Sequence, residues 1–259
     1  MIAKLLRLPL VLMPRQAVVP VMSGCNRGCR WVAGSQTHGC WIGWYERDLQ
    51  RLLHALIKPA MTVWDLGANV GFYSLAFSRL VGPGGMVVAF EPSAVNVGYL
   101  LKHIHLNHCQ NVIVYQSAVA ADCGFSSFAN DDESDAKSHV SAQPTGYIVA
   151  TVSIDHVLDA RPEWRPDVVK IDVEGAEGSV LAGGSTLLSS PKSPLLVLSL
   201  HGLSASRECM QLLGKHGYAI LSAGGDPLKT AEDLAATGTV IAVPAARLAE
   251  YASRLGSLP

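Results

Sequence analysis

With 259 residues, 49% of them hydrophobic and only 16% charged, the chain carries enough apolar side chain for one large core, which excludes a disordered protein. Its 20 lysines and arginines balance 21 acidic residues, so no broad nucleic-acid-binding face is expected. Glycine occurs 24 times without a collagen period or solenoid repeat, and the whole reads as a soluble α/β enzyme.

Residues 1–22 are largely apolar but carry Lys4, Arg7 and Arg15 and are broken by Pro9, Pro14 and Pro20. No run reaches the ~18 to 20 apolar residues of a membrane span. Lys4 and Arg7 ahead of residues 8–13 resemble a signal peptide only faintly, because the apolar run is short and lacks a convincing small-residue cleavage site. A helix and an extended arm packed on the domain are expected, with at most a loose contact to a membrane surface. The six cysteines (Cys25, Cys29, Cys40, Cys109, Cys123 and Cys209) are too sparse for a disulfide scaffold. A reducing, cytoplasmic location is the simpler expectation. Cys25, Cys29, His38 and Cys40 raise a zinc site, but C-x3-C followed by H-x-C is not a common finger or ribbon spacing. Packing cysteines are expected there, and no metal.

From residue 40 the pattern becomes regular. Leu49, Leu52, Leu53, Leu56 and Ile57 recur at helical spacing over residues 45–57, and Pro59 stops the run. Residues 62–66 read as a buried strand, followed by a glycine-punctuated turn and a helix through Leu75, Ala76 and Leu80. After a break at 82–85, a strand (86–90), a helix (94–106) and a strand (112–115) complete a βαβαβ half of a doubly wound sheet. Residues 126–146 are polar, with Asp131, Asp132, Glu133 and Asp135 clustered, and read as a long loop or hairpin insertion with a solvated acidic face. A short strand at 151–154 follows. The sheet resumes with a fourth strand (168–171), a helix (176–188), a fifth strand (195–200), a helix (205–215) and closing strands at 219–222 and 239–243. No convincing helix separates the last two, which predicts an antiparallel end to a mostly parallel sheet.

In such a sheet, ligands bind beyond the carboxyl ends of the strands. The first end carries Asp65-Leu66-Gly67-Ala68-Asn69-Val70-Gly71, where Gly67 permits the tight turn and Gly71 lets the next helix approach. Asn69 stands where a dinucleotide fingerprint has glycine; it tolerates the left-handed bend, but its side chain would crowd a pyrophosphate. Glu91 ends the second strand, placed to accept the ribose hydroxyls of an adenosine. Turn and carboxylate together point to an adenosine-bearing ligand, and the missing glycine favours S-adenosylmethionine over NAD. An NAD-dependent oxidoreductase is therefore the alternative enzyme, and a catalytically inactive binding protein the non-enzyme alternative.

The runs VWDLGANVGFYSLAFSRLVGPGGMVVAFEPS (63–93), LNHCQNVIVYQSAVA (106–120) and DVVKIDVEGAEGSVLAGG (167–184) resemble the FkbM-type methyltransferases, as does GWYE at 43–46. The resemblance covers roughly residues 20–202, and the pairing of GANVG with KIDVEGAE is specific. It implies a class I methyltransferase (Rossmann-like) α/β fold, S-adenosylmethionine as cofactor, and O-methylation of a small-molecule or glycan hydroxyl. By position it implies Asp65, Gly67, Ala68, Asn69 and Gly71 on the methionine side of the cofactor, Glu91 and Pro92 at the ribose, and Ser117 and Ala118 beside adenine. Tyr45 and Glu46 would close the site from the N-terminal side. The implied organisation is an arm and leading helix (1–58), the methyltransferase domain (59–243, with an insertion near 126–150) and a C-terminal tail (244–259).

Catalysis is expected at the ends of the fourth and fifth strands. Asp172 and Glu174 share one side if the strand continues, and Glu177 falls early in the next helix. Asp172 is a candidate base or a holder of the cofactor's ammonium group; one D-x-E run is too little to assign a divalent metal. His201 after the fifth strand is suited to take a hydroxyl proton near neutral pH. The family commonly has glutamate two residues before this histidine, where this chain has Ser199, so a mechanism needing an acid at that position is in doubt. His139 in the insertion is a weaker candidate, as part of a lid.

Overall fold

The computed structural model describes residues 13–130, 138–141 and 147–255. An antiparallel pair, β1 (Val18–Pro20) and β2 (Arg30–Val32), is followed by the short helix α1 (His38–Ile42) and by α2 (Arg47–Leu56), whose Leu49, Leu52, Leu53 and Leu56 form its buried stripe. Residues 18–32 are tied down by polar contacts: His103 Nε2 accepts from Val32 N–H at 3.0 Å, and Asn26 Nδ2 donates to the Phe72 carbonyl at 2.7 Å.

The central sheet contains β3 (Thr62–Leu66), β4 (Met86–Phe90), β5 (Val112–Tyr115), β10 (Val168–Ile171), β11 (Leu195–Ser199), β12 (Tyr218–Ser222) and β13 (Thr239–Pro244), in the order β12-β13-β11-β10-β3-β4-β5. Every pair is parallel except those made by β13, which runs antiparallel to both β11 and β12. Alternation along each strand feeds two cores. Val63, Val168 and Leu195 point into one with α2 and helix α3 (Phe72–Val81); Trp64, Val169 and Leu196 point into the other. Helix α4 (Ala94–Leu106) is capped by Ser93, whose side chain accepts from Asn96 N–H.

Four elements differ from the sequence-based expectation. The insertion is built into a second sheet, with β6 (Ala118–Val119), β7 (Gly124–Asn130), β8 (Ser138–Ser141) and β9 (Tyr147–Val152) in the order β6-β9-β7-β8. The acidic cluster 131–135 lies outside the described residues, as does the side chain of His139. After α5 (Ile154–Ala160), the single helix expected at 176–188 divides into α6 (Glu177–Ala182) and α7 (Ser185–Leu188), because Gly183 and Gly184 let the chain press onto Ala120 and Ile154. Between α8 (Leu203–Lys215) and β13 stands a helix the sequence reading omitted, α9 (Ala231–Thr237), closed by a capping box of Thr230 and Asp233. The segment expected to be a tail continues into α10 (Leu248–Leu255), which seats Tyr251 fully buried against α2.

Gly67 has φ +78°, and a Cβ placed on it would strike the carbonyl oxygen of Asp172. The ends of β3 and β10 are locked at this point, where Asp172 N–H donates to the Leu66 carbonyl at 3.0 Å. Gly67→Ala is expected to cost about 2 kcal/mol, from left-handed strain and overpacking together. Thermal unfolding should show a Tm lower by roughly 4–8 °C for a chain of this size; an unchanged Tm would mean that the two strand ends separate freely.

Candidate active site

A cavity of about 540 Å³ opens over the carboxyl ends of β3, β4, β10 and β11, within the size range of small-molecule sites. Its floor is Gly67–Val70; Phe90, Glu91 and Pro92 line it beside Ser117 and Ala118, and Asp172, Glu174, Ser199 and His201 line the opposite side. Tyr45 and Glu46 border it from the arm, together with Gln36, Thr37 and Cys40, and Phe128 reaches in from the second sheet. Asp65 and Gly71, expected on the wall, are placed behind it. Asp65 is fully buried and accepts from Ser74 Oγ at 2.6 Å, while Gly71 provides clearance for Leu100 of α4.

The β4 side of the cavity is held by Glu91, only 4% exposed. Its Oε2 accepts from Asn69 N–H at 2.8 Å; its Oε1 accepts from Ser93 N–H at 2.9 Å and from Asn96 Nδ2 at 3.2 Å. A carboxylate offers about four acceptor positions, so room remains for about one further hydrogen bond. Asn69 takes the left-handed conformation at φ +50°, with its Oδ1 accepting from Val70 N–H at 2.7 Å. The bend survives without glycine because the side chain stabilises its own turn. Burial raises the Glu91 pKa, opposed by the three donors at Ser93, Asn96 and Asn69.

The opposite side is dominated by charge. Lys170, 2% exposed, reaches Asp172 Oδ2 at 3.1 Å and Asp65 Oδ1 at 3.8 Å, with its ammonium 5.0 Å above the Tyr73 ring. Burial alone would lower this amine, but the Asp172 and Asp65 carboxylates outweigh it and leave the pKa raised. Tyr73 in turn donates its hydroxyl to Glu46 Oε2 at 2.7 Å. Lys170 was missed in the sequence reading. Its mark was visible: a lysine inside the apolar run VVKI, two residues before Asp172, must find a carboxylate when the strand is buried.

Beyond β10 the strand does not continue. Glu174 (φ +51°) and Gly175 (φ +100°) turn the chain sharply, yet both carboxylates still converge on one ring. His201 Nε2 lies 3.3 Å from Glu174 Oε2 and 3.9 Å from Asp172 Oδ1, and Nδ1 lies 2.8 Å from Glu177 Oε1. The acidic partner absent at position 199 is thus supplied from another element, by a glutamate with no solvent exposure. The hydrogen bond to Glu177 raises the His201 pKa; partial burial opposes it, and the charges of Glu174, Glu177 and Asp172 add to the rise.

The cysteine-rich arm shows separate engagements. Arg79 Nη1 contacts Cys29 Sγ at 3.3 Å, Cys40 Sγ lies 3.9 Å from Thr37 Oγ1, and His38 Nδ1 accepts from Trp41 Nε1 at 3.1 Å. Burial pushes the Cys25 and Cys40 thiols up to about 12.

A doubly wound sheet closed by an antiparallel strand, with a carboxylate-lined cavity over its switch point, has the class I Rossmann-like methyltransferase architecture. The chain belongs to the FkbM methyltransferase family: the model of the methyltransferase FkbM domain matches residues 65–220. Membership brings S-adenosylmethionine as the cofactor, and the wall fits it: Glu91 keeps acceptor capacity toward the cavity, and Asp172 offers a carboxylate to a cationic group. The chain is 25% identical over 170 residues to the hexuronic acid methyltransferase AglP of Haloferax volcanii, covering 66% of this chain and 68% of that protein. Among solved structures it is similar to a methyltransferase FkbM from Methylobacillus flagellatus, with TM-score 0.45, 18% identity and 76% of this chain covered. The chain spans about half of that protein's length, 53%. Another likeness is Aeropyrum pernix fibrillarin in complex with S-adenosyl-L-methionine, with TM-score 0.41, 13% identity, and 73% and 68% of the two chains covered. Among the described residues, no helix is long and apolar enough to cross a membrane.

Proposed function

We propose that the protein is an O-methyltransferase that moves a methyl group from S-adenosylmethionine to a hydroxyl of a sugar, glycan or natural product. The observation that carries this reading is the His201 imidazole on the cavity wall, with one nitrogen engaged by a buried carboxylate and the other facing the carboxylates beyond β10. S-adenosylmethionine supplies an electrophilic methyl; the chain's residues supply orientation and a proton acceptor. Glu91 and the Asn69 turn hold the adenosine end, Asp172 meets the cationic end, and His201 takes the hydroxyl proton. Tyr45, Glu46 and Phe128 border the cavity from the arm and the second sheet.

The hexuronic acid relative supports a sugar acceptor. The charges here favour one without its own carboxylate: among the described cavity-lining residues no arginine is present, and Lys170 is already engaged by Asp65 and Asp172. Incubating the protein with labelled S-adenosylmethionine and fractionated cell glycans, neutral and uronate-bearing, tests the reading. Label is expected in neutral sugars as a base-stable methyl ether. Label released by mild base would indicate an ester, and a thermal shift with NAD but none with S-adenosylmethionine would favour an oxidoreductase instead.

A further inference from the structure

Resting on the reading of His201 as proton acceptor, we propose that Glu177 is its positioning residue, holding the ring as the Nδ1–H tautomer so that Nε2 stays bare toward the acceptor hydroxyl. The geometry begins with direction. A carboxylate can only accept, so the 2.8 Å contact between Glu177 Oε1 and Nδ1 places a hydrogen on Nδ1. The same oxygen accepts from Gly175 N–H at 3.0 Å, which ties the carboxylate to the turn that carries Glu174. Glu177 is therefore fixed from its own element and from the loop before it.

Burial supplies the second part. Glu177 has no solvent exposure, its Oε2 has no hydrogen-bond partner, and the side chain its Oε1 meets is His201. An acid held this way is costly, and its contact with a ring that is one-third exposed on a cavity wall is the compensation visible for it. Around the ring stand Glu174 and Asp172 from the end of β10, with Lys170 behind Asp172; Cys209 and Glu208 of α8 lie near Glu177. Once Nε2 accepts a proton, that proton lies against Glu174 and Asp172, which stabilise the imidazolium.

The step balances. The acceptor oxygen loses its proton to Nε2 and forms the O–CH3 bond as the S–CH3 bond breaks, leaving a neutral thioether. The imidazolium then returns the proton to solvent through its exposed edge. The serine at position 199 does not leave the histidine without an acid, because the partner comes from α6, 24 residues before His201 in sequence.

Long-range proton–nitrogen NMR of 15N-histidine-labelled protein tests this without an acceptor, with the His201 signals identified by His201→Gln. Above the titration of the ring, wild type should show a protonated Nδ1 and a bare Nε2. Glu177→Gln should lose that preference, with the ring titrating nearer an ordinary histidine, and Glu177→Asp should regain part of it; S-adenosylmethionine affinity should stay within about twofold in both. An Nε2–H tautomer in wild type, or an unchanged tautomer in Glu177→Gln, overturns the proposal. If Glu177→Gln fails to fold, the wild-type spectrum still decides. Absence of methyl transfer to every acceptor with the Nδ1–H tautomer intact would count against the O-methylation reading and leave this one standing.

Discussion

His201→Ala is expected to leave S-adenosylmethionine affinity within about twofold while slowing single-turnover methyl transfer by on the order of a hundredfold to ten-thousandfold, the loss seen when a general base is removed. The expectation follows from position. β10 lies directly beside β3 and β11 one strand further out, so Asp172 sits next to the glycine turn, and His201 lies on the side the proposed reading gives to the acceptor. Asp172→Asn should therefore lower affinity and turnover together, since Asp172 also pairs with Lys170. Normal turnover in His201→Ala, with Asp172→Asn binding cofactor well but inactive, would reverse the two roles. The pH dependence carries the same information. The His201 pKa is raised above its ordinary value of about 6.5, so the base form fills as pH climbs through that higher value, and turnover should rise with it. The sign for stability is opposite: the ring's contribution is complete below the unfolded pKa and is lost as pH rises through the folded one.

Glu91→Ala is expected to weaken S-adenosylmethionine and S-adenosylhomocysteine alike, by roughly 1.5 to 3 kcal/mol or more, about tenfold to beyond a hundredfold. One part is the acceptor that the proposed reading gives to the adenosine end of the cofactor. A second part is structural, because the same carboxylate holds Asn69 N–H, Ser93 N–H and Asn96 Nδ2. Removing it leaves buried donors without a partner beside the turn that the cofactor must pass. Calorimetry on folded variant measures the change. Equal affinity for both ligands before and after substitution would move the ribose elsewhere.

Much of the frame was legible because buried parallel strands announce themselves. Residues 62–66, 86–90, 112–115 and 168–171 were read at the bounds observed, since apolar runs ended by glycine or polar residues allow little else. Helix α9 was not legible by periodicity: it buries only Ala231 and Leu234, and the box at Thr230 and Asp233 was its one local mark. At the site, Glu91 and His201 could be located because each lies just beyond the end of a strand. The partnership of His201 with Glu177 was not readable, because side-chain contact between two strand-end loops depends on how sharply each loop turns. Glu174 and Gly175 in left-handed conformations decide that, and no spacing rule reports it. Position 199 carries no acid, and the carboxylate against His201 is that of Glu177 instead.

The burial of Tyr251 makes the far end of the sequence a structural support for the near rim of the cavity. Arg247 Nη2 donates to the Tyr251 hydroxyl at 2.8 Å, and its guanidinium lies 5.0 Å above the ring, fixing the ring at the head of α10, which packs against α2. Tyr45 and Glu46, which open α2, are themselves cavity residues. A tag or truncation that pries the last helix loose would therefore be felt first as a leaking gatepost, with two hundred residues of sequence between the injury and the symptom.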